Sequence, residues 1–189
     1  MDALRIYDYL TKARERVFDS VRALAPAQYA HEFRFGLNTF GRTLTHIMIS
    51  EWYYIERIEE RTVPHYDAWP IKDETPPAFE VIERSWREQA KSTRASIAGQ
   101  RDWSRTISWI GFPDDQGRRF QISCTAGDLV TQLALHEVHH RAQVMAMIKE
   151  LRSTDERRPP NLETEGAAPA PLEDLDFNSM MFDRREVTS

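Results

Sequence analysis

The residues best suited to chemistry lie between Leu133 and Val144: His136, Glu137, His139, His140, Arg141 and Gln143, in a run that otherwise reads as the apolar face of a helix. On an α-helix His136 and His140 stand one turn apart and about 40° from each other around the axis, so both rings can reach one ion. Imidazole is the commonest protein metal ligand near neutral pH, and an i,i+4 pair on a rigid helix is half of a site. A third ligand has to come from elsewhere in the chain. The other reading of the pair is hydrogen bonding to carbonyls or carboxylates, because a buried imidazole costs free energy unless it finds a partner.

The string His136-Glu137-Val138-His139-His140 also satisfies H-E-x-x-H, in which the glutamate is the general base of a zinc protease. The extended form continues with glycine and histidine, where this chain has Gln143 and Ala146. A downstream glutamate ligand would have to be Glu150 or Glu156, at the helix end and past it. The protease reading therefore lacks its third ligand, and Glu137 reads as solvated or paired with an arginine. Arg141 suits a salt bridge or helix packing, and Gln143 a hydrogen bond across helices. Cys124, just before this helix, reads as a small core residue, since no activating base lies near it in sequence.

Four amphipathic segments must position these groups. Ile6, Leu10, Ala13, Val17, Val21 and Leu24 recur at helical spacing behind an Asp2 cap, with Arg5, Lys12, Arg14, Glu15 and Arg22 on the wet side. Residues 25–37 form a connection. A second helix starts at Asn38 or Thr39 and runs to about Arg61, with Phe40, Leu44, Ile47, Met48, Trp52, Ile55 and Ile58 as its apolar set. His46 lies inside it, and a histidine there is more often a core or boundary residue than a ligand. Residues 62–77 are a proline-rich loop whose Tyr66 and Trp69 suit a lid or pocket wall, or a crossover that covers apolar surface; His65 reads as a surface residue. Thr75-Pro-Pro signals the start of a third helix that ends near Gly99, with Trp86 in its core stripe. Thr106–Ile110 and Arg119–Ser123 read as a β-hairpin. Thr125 to Asp128 resembles a capping box, and a fourth helix follows from Ala126 to about Arg152. Leu129, Leu133, Val144, Met147 and Leu151 define its buried stripe, which includes His136 and His140 but leaves His139 about 60° to one side.

From residue 153 to 171 the composition turns to proline, glutamate, arginine and alanine, a linker or mobile loop. Residues 172–189 regain apolar side chains that could dock on the body, residues 1–152, or on a second subunit. The 189 residues suit one domain, and 41% hydrophobic with 29% charged residues argues against wholesale disorder. A net charge of −5 without a clustered basic patch speaks against nucleic-acid binding. There is no long apolar run and no apolar middle to the N-terminus, so no membrane association or secretion is expected. With one cysteine, a reducing, cytoplasmic setting is the expectation.

A histidine in the second helix followed by His136-Glu-Val-His-His140-Arg141-Ala142-Gln143 in the fourth resembles the DinB/YfiT-like family, over roughly residues 3 to 152. The family string is H-x-x-x-H-R-G-Q, with Ala142 here in place of glycine. The family's first histidine matches His46 in the stretch from Leu44 to Trp52. The resemblance implies an all-α fold, a four-helix bundle with the short β-hairpin between the third and fourth helices. It implies that His46, His136 and His140 hold a divalent ion, zinc or nickel, with coordination positions left open. It further implies a transferase that uses a low-molecular-weight thiol, such as bacillithiol or mycothiol, on a small electrophile, in a homodimer. The alternatives are a metal-dependent hydrolase that activates water, and a non-catalytic metal-binding or dimerisation bundle. Beyond the three ligands no catalytic or cofactor-binding residue is assigned.

Overall fold

Helix α1 (Ala3–Arg22) begins where the Asp2 carboxylate accepts the Arg5 amide at 3.0 Å, the expected cap. The structure, a computed structural model, describes residues 2–113 and 116–156. The expected connection after α1 contains a short helix, α2 (Pro26–Tyr29), opened by proline and by Gln28 Oε1 accepting the Ala25 amide at 2.9 Å. α3 (Phe40–Ile58) starts from Thr39, whose hydroxyl accepts the Arg42 amide at 3.2 Å.

α4 (Phe79–Gly99) begins later than the Thr75-Pro-Pro signal suggests. Ala78 is still extended at φ −58° and ψ 151°, and the helix has no side-chain cap. The hairpin pairs β1 (Thr106–Ile110) with β2 (Gln121–Thr125), antiparallel, from Thr106↔Thr125 to Ile110↔Gln121. The second strand lies two residues beyond its expected place, because it runs directly into the last helix. Cys124 therefore belongs to a strand and is half-buried, packed against the edge of the core.

The capping box forms as expected: the Asp128 amide donates to Thr125 Oγ1 at 3.1 Å and the Thr125 amide to Asp128 Oδ2 at 2.8 Å. It opens α5 (Ala126–Glu156), which continues four residues past the expected end into the stretch read as linker. The rest of that linker and residues 172–189 lie outside the described residues. Among the described residues no helix is long and apolar enough to cross a membrane.

The four long helices form a bundle in which α1 and α3 each pack against both α4 and α5, so α1 faces α3 across the diagonal. The apolar core falls into two clusters. Val17, Phe18, Leu44, Met48, Ile82, Trp86, Val144 and Met147 belong to the first. Tyr7, Leu10, Ile55, Ile97, Leu129 and Leu133 belong to the second, closed by Ile107 of the hairpin. Along every helix that carries one, the charged residues Arg14, Glu51, Glu137 and Arg141 fall at the boundary between the two, all buried.

That layer corrects one expectation and decides another. Arg14 is 4% exposed rather than on the wet side of α1, and of the two readings of Glu137 the pairing with arginine holds, with the residue 2% exposed. Arg14 Nη2 donates to Glu51 Oε2 and to Glu137 Oε2, each at 2.6 Å, and its Nε donates to Glu137 Oε1 at 3.3 Å. Glu51 also accepts from Tyr7 (2.8 Å), Thr93 (2.7 Å) and the Trp86 indole (2.9 Å), while the Trp86 ring lies 4.1 Å from the Arg14 guanidinium carbon. Burial opposes the Arg14 charge, but the Glu137 and Glu51 carboxylates outweigh it and hold the guanidinium pKa above its ordinary value. Burial likewise pushes the Glu137 carboxyl up, with Arg14 pulling it down. Arg141 has the packing role expected of it: Nη2 donates to the Tyr9 hydroxyl at 2.5 Å, and Nη1 lies 3.8 Å from Glu137.

Candidate metal centre

At the level of this layer, where α3 packs along α5, the structure brings His46, His136 and His140 together. One nitrogen from each lies within 4.8 Å of the others. The ring centroids are 4.5 Å apart for His136 and His140, 4.8 Å for His46 and His140, and 5.0 Å for His46 and His136. His46 Nε2 and His136 Nε2 are 3.1 Å apart. Two nitrogens on one tetrahedral zinc at ~2.0–2.1 Å stand about 3.3 Å apart, so the spacing suits a shared ion.

The far sides of two rings are tied. His46 Nδ1 lies 2.7 Å from Asp73 Oδ2, and a carboxylate accepts only, so the proton sits on Nδ1 and the Nε2 lone pair faces the other histidines. His140 Nδ1 donates to Gln143 Oε1 at 2.9 Å and leaves its Nε2 free in the same way. Gln143 thus acts within α5, where its amide nitrogen also lies 3.1 Å from His139 Nε2, and not across helices as expected. The side chain rests on Gly36, a residue at φ +58° where an added Cβ would stand 2.8 Å from Gln143 Oε1. His139 is exposed, and His65 is an exposed residue of the connection.

Asp73 is the residue that sequence reasoning missed. It sits in the connection between α3 and α4, where no periodicity marks it, and Tyr66 donates to its other oxygen at 2.5 Å. Burial works to raise its carboxyl pKa, but the hydrogen bonds from Tyr66 and His46 outweigh it and hold it low. The connection serves as the expected pocket wall: Trp69, pinned by an indole hydrogen bond to the Pro64 carbonyl at 3.0 Å, packs edge-on against Trp52.

Glu137 is no base for this centre. Its carboxylate points into the core at Arg14, which removes the H-E-x-x-H reading. The Cys124 thiol is pushed up by burial and by Asp128, away from the thiolate.

Burial and the neighbouring imidazoles push the His136 pKa down to about 4 and also lower that of His140, so these rings are neutral near pH 7, the form that can bind a metal. An unfolded chain would protonate His136 near pH 6.5. Between those two values the unfolded state binds the proton, so acid favours unfolding. Metal-free protein should therefore lose stability between about pH 6.5 and 4, on the order of 1–2 kcal/mol after allowance for solvent screening. Urea titrations of wild type and His136→Asn across that range should differ by this slope, and equal slopes would count against it.

The DinB family model matches residues 1–157, which include all three histidines. The chain belongs to the DinB family. Among solved structures, a crystal structure of a DinB-like protein from Bacillus cereus matches with a TM-score of 0.53 at 17% identity, covering 77% of this chain and 89% of that one. At that identity the likeness shows the fold. No curated protein matches. DinB membership and the three-histidine cluster together give a site that could hold a metal ion.

Proposed function

We propose that His46, His136 and His140 hold a divalent ion, zinc or nickel, and that the centre serves a transferase joining a low-molecular-weight thiol to a small electrophile. The observation that carries the reading is the convergence of three imidazoles, two of them tied by Nδ1 so that Nε2 faces inward. The donor set fits the group: three neutral nitrogen ligands suit zinc or nickel and leave positions open, as in catalytic rather than structural sites. A divalent ion supplies Lewis acidity there and favours the thiolate form of a thiol at neutral pH.

The chain's own residues fit an external thiol. Cys124 is half-buried in β2 with a raised pKa, and no other cysteine exists to supply the sulfur. In the reaction the thiol gives up its proton to solvent, sulfur bonds to the electrophile's carbon, and the bond from that carbon to the displaced group breaks, the group leaving with the electron pair. Asp73 keeps His46 in the tautomer that offers Nε2, and Gln143 does the same for His140.

Asp73→Asn should weaken zinc or nickel binding by about 10–100-fold without unfolding the protein, measured by competition with a chromophoric chelator. An unchanged affinity would remove Asp73 from the centre. The activity is tested with metal-loaded protein, a low-molecular-weight thiol and a model electrophile such as 1-chloro-2,4-dinitrobenzene. Product that needs the thiol supports the transferase; turnover of ester substrates without thiol would assign a hydrolase instead. The homodimer belongs to the same proposal, and light scattering of the purified chain tests it.

A further inference from the structure

A pocket of about 200 Å³, half open to solvent, lies between α3, α4 and the connection that joins them, walled by Met48, Ile49, Trp52, Trp69, Ile71 and Gln89. None of its lining residues carries a charge. Trp52 and Trp69 meet edge to face with centroids 4.9 Å apart, and both keep part of their surface open although they are among the largest apolar side chains. The walls are fixed. Trp69 is held by its bond to the Pro64 carbonyl and by the Tyr66 and Tyr53 rings at 5.1 and 6.1 Å, and Gln89 donates to the Met48 carbonyl at 2.8 Å.

We infer that this cavity binds a single uncharged aromatic ring. Size sets the first limit. An apolar protein cavity of roughly 150 Å³ takes up benzene, so this one has room for one ring with a small substituent. Polarity sets the second, because a carboxylate or ammonium turned into the pocket would give up hydration without finding an opposite charge among the lining residues. Shape sets the third: the two indoles, packed edge to face on each other at 82°, form one aromatic wall against which a further ring can lie. The cavity shares no residue with the histidine centre, so the inference stands whether or not a metal binds. The two are neighbours in the chain, since two residues past Ile71 the same connection delivers Asp73 to His46.

The test is titration of the full-length protein with toluene, followed by tryptophan fluorescence and by two-dimensional NMR, with benzoate as the charged control. Ser85→Trp fills the cavity from α4 and Ile71→Trp fills it from the connection, so one variant serves if the other fails to fold. The expected result is a saturable response to toluene, roughly tenfold weaker or more for benzoate and for the filled variants. No saturable response up to the solubility of toluene would overturn the inference. So would benzoate binding as tightly as toluene, or toluene binding unchanged in a folded filled variant.

Discussion

Arg14→Met is expected to destabilise the protein by about 3–5 kcal/mol. The substitution removes the one cation that two buried carboxylates share, with Glu51 and Glu137 both 2% exposed. For Glu51 the three neutral donors Tyr7, Thr93 and Trp86 remain, but among the described residues Glu137 keeps only Arg141, whose Nη1 is 3.8 Å away. Because a domain of this size has about 5–15 kcal/mol in hand, the variant sits near the limit of folding. Replacing all three charges by neutral residues of similar volume should recover most of the loss, since neither carboxylate is then left bare. Urea unfolding of Arg14→Met and of Arg14→Met/Glu51→Gln/Glu137→Gln measures both effects. A single variant within 1 kcal/mol of wild type would show that the buried layer contributes little.

The second large effect concerns metal content. A four-ligand zinc site supplies roughly 10–16 kcal/mol, so each ligand accounts for about 3 kcal/mol, or two orders of magnitude in affinity. His136→Ala and His140→Ala should each weaken zinc or nickel binding by about 100-fold or more, and elemental analysis of untagged protein should fall from about one ion per chain towards none. His139→Ala is the control. It removes an exposed histidine of the same helix, outside the cluster, and should keep the ion. Loss of metal in His139→Ala, or its retention in the other two, would overturn the three-histidine reading.

The helices and two thirds of the histidine cluster were legible because they follow from periodicity. His136 and His140 share a stripe with Leu133 and Val144, and helical geometry then places both on the side of α5 that meets α3. His46 could not be chosen from spacing, since a lone histidine in a helix has no periodic partner; the resemblance of its surroundings singled it out. Arg14 does carry a periodic signal. It stands one turn after Leu10 and three residues before Val17, on the buried stripe, and only its charge assigns it to the wet face. Glu51 falls on its stripe in the same way, between Met48 and Ile55. Asp73 carried no signal at all, because an irregular connection has no period from which a contact could be read. The same holds for the cavity, whose walls come from α3, α4 and that connection.

The buried charged layer has a further consequence for the alignment of α5. Sliding this helix by one turn, about 5.4 Å, would bring either Leu133 or Arg141 to the place of Glu137. The first leaves Arg14 with Glu51 but with hydrocarbon on the side of α5, and the second sets cation against cation there. The same slide would carry His136 or His140 past His46. The Arg14–Glu137 pair therefore works as a ratchet stop: the axial setting of α5 that forms it is also the setting at which three imidazoles meet.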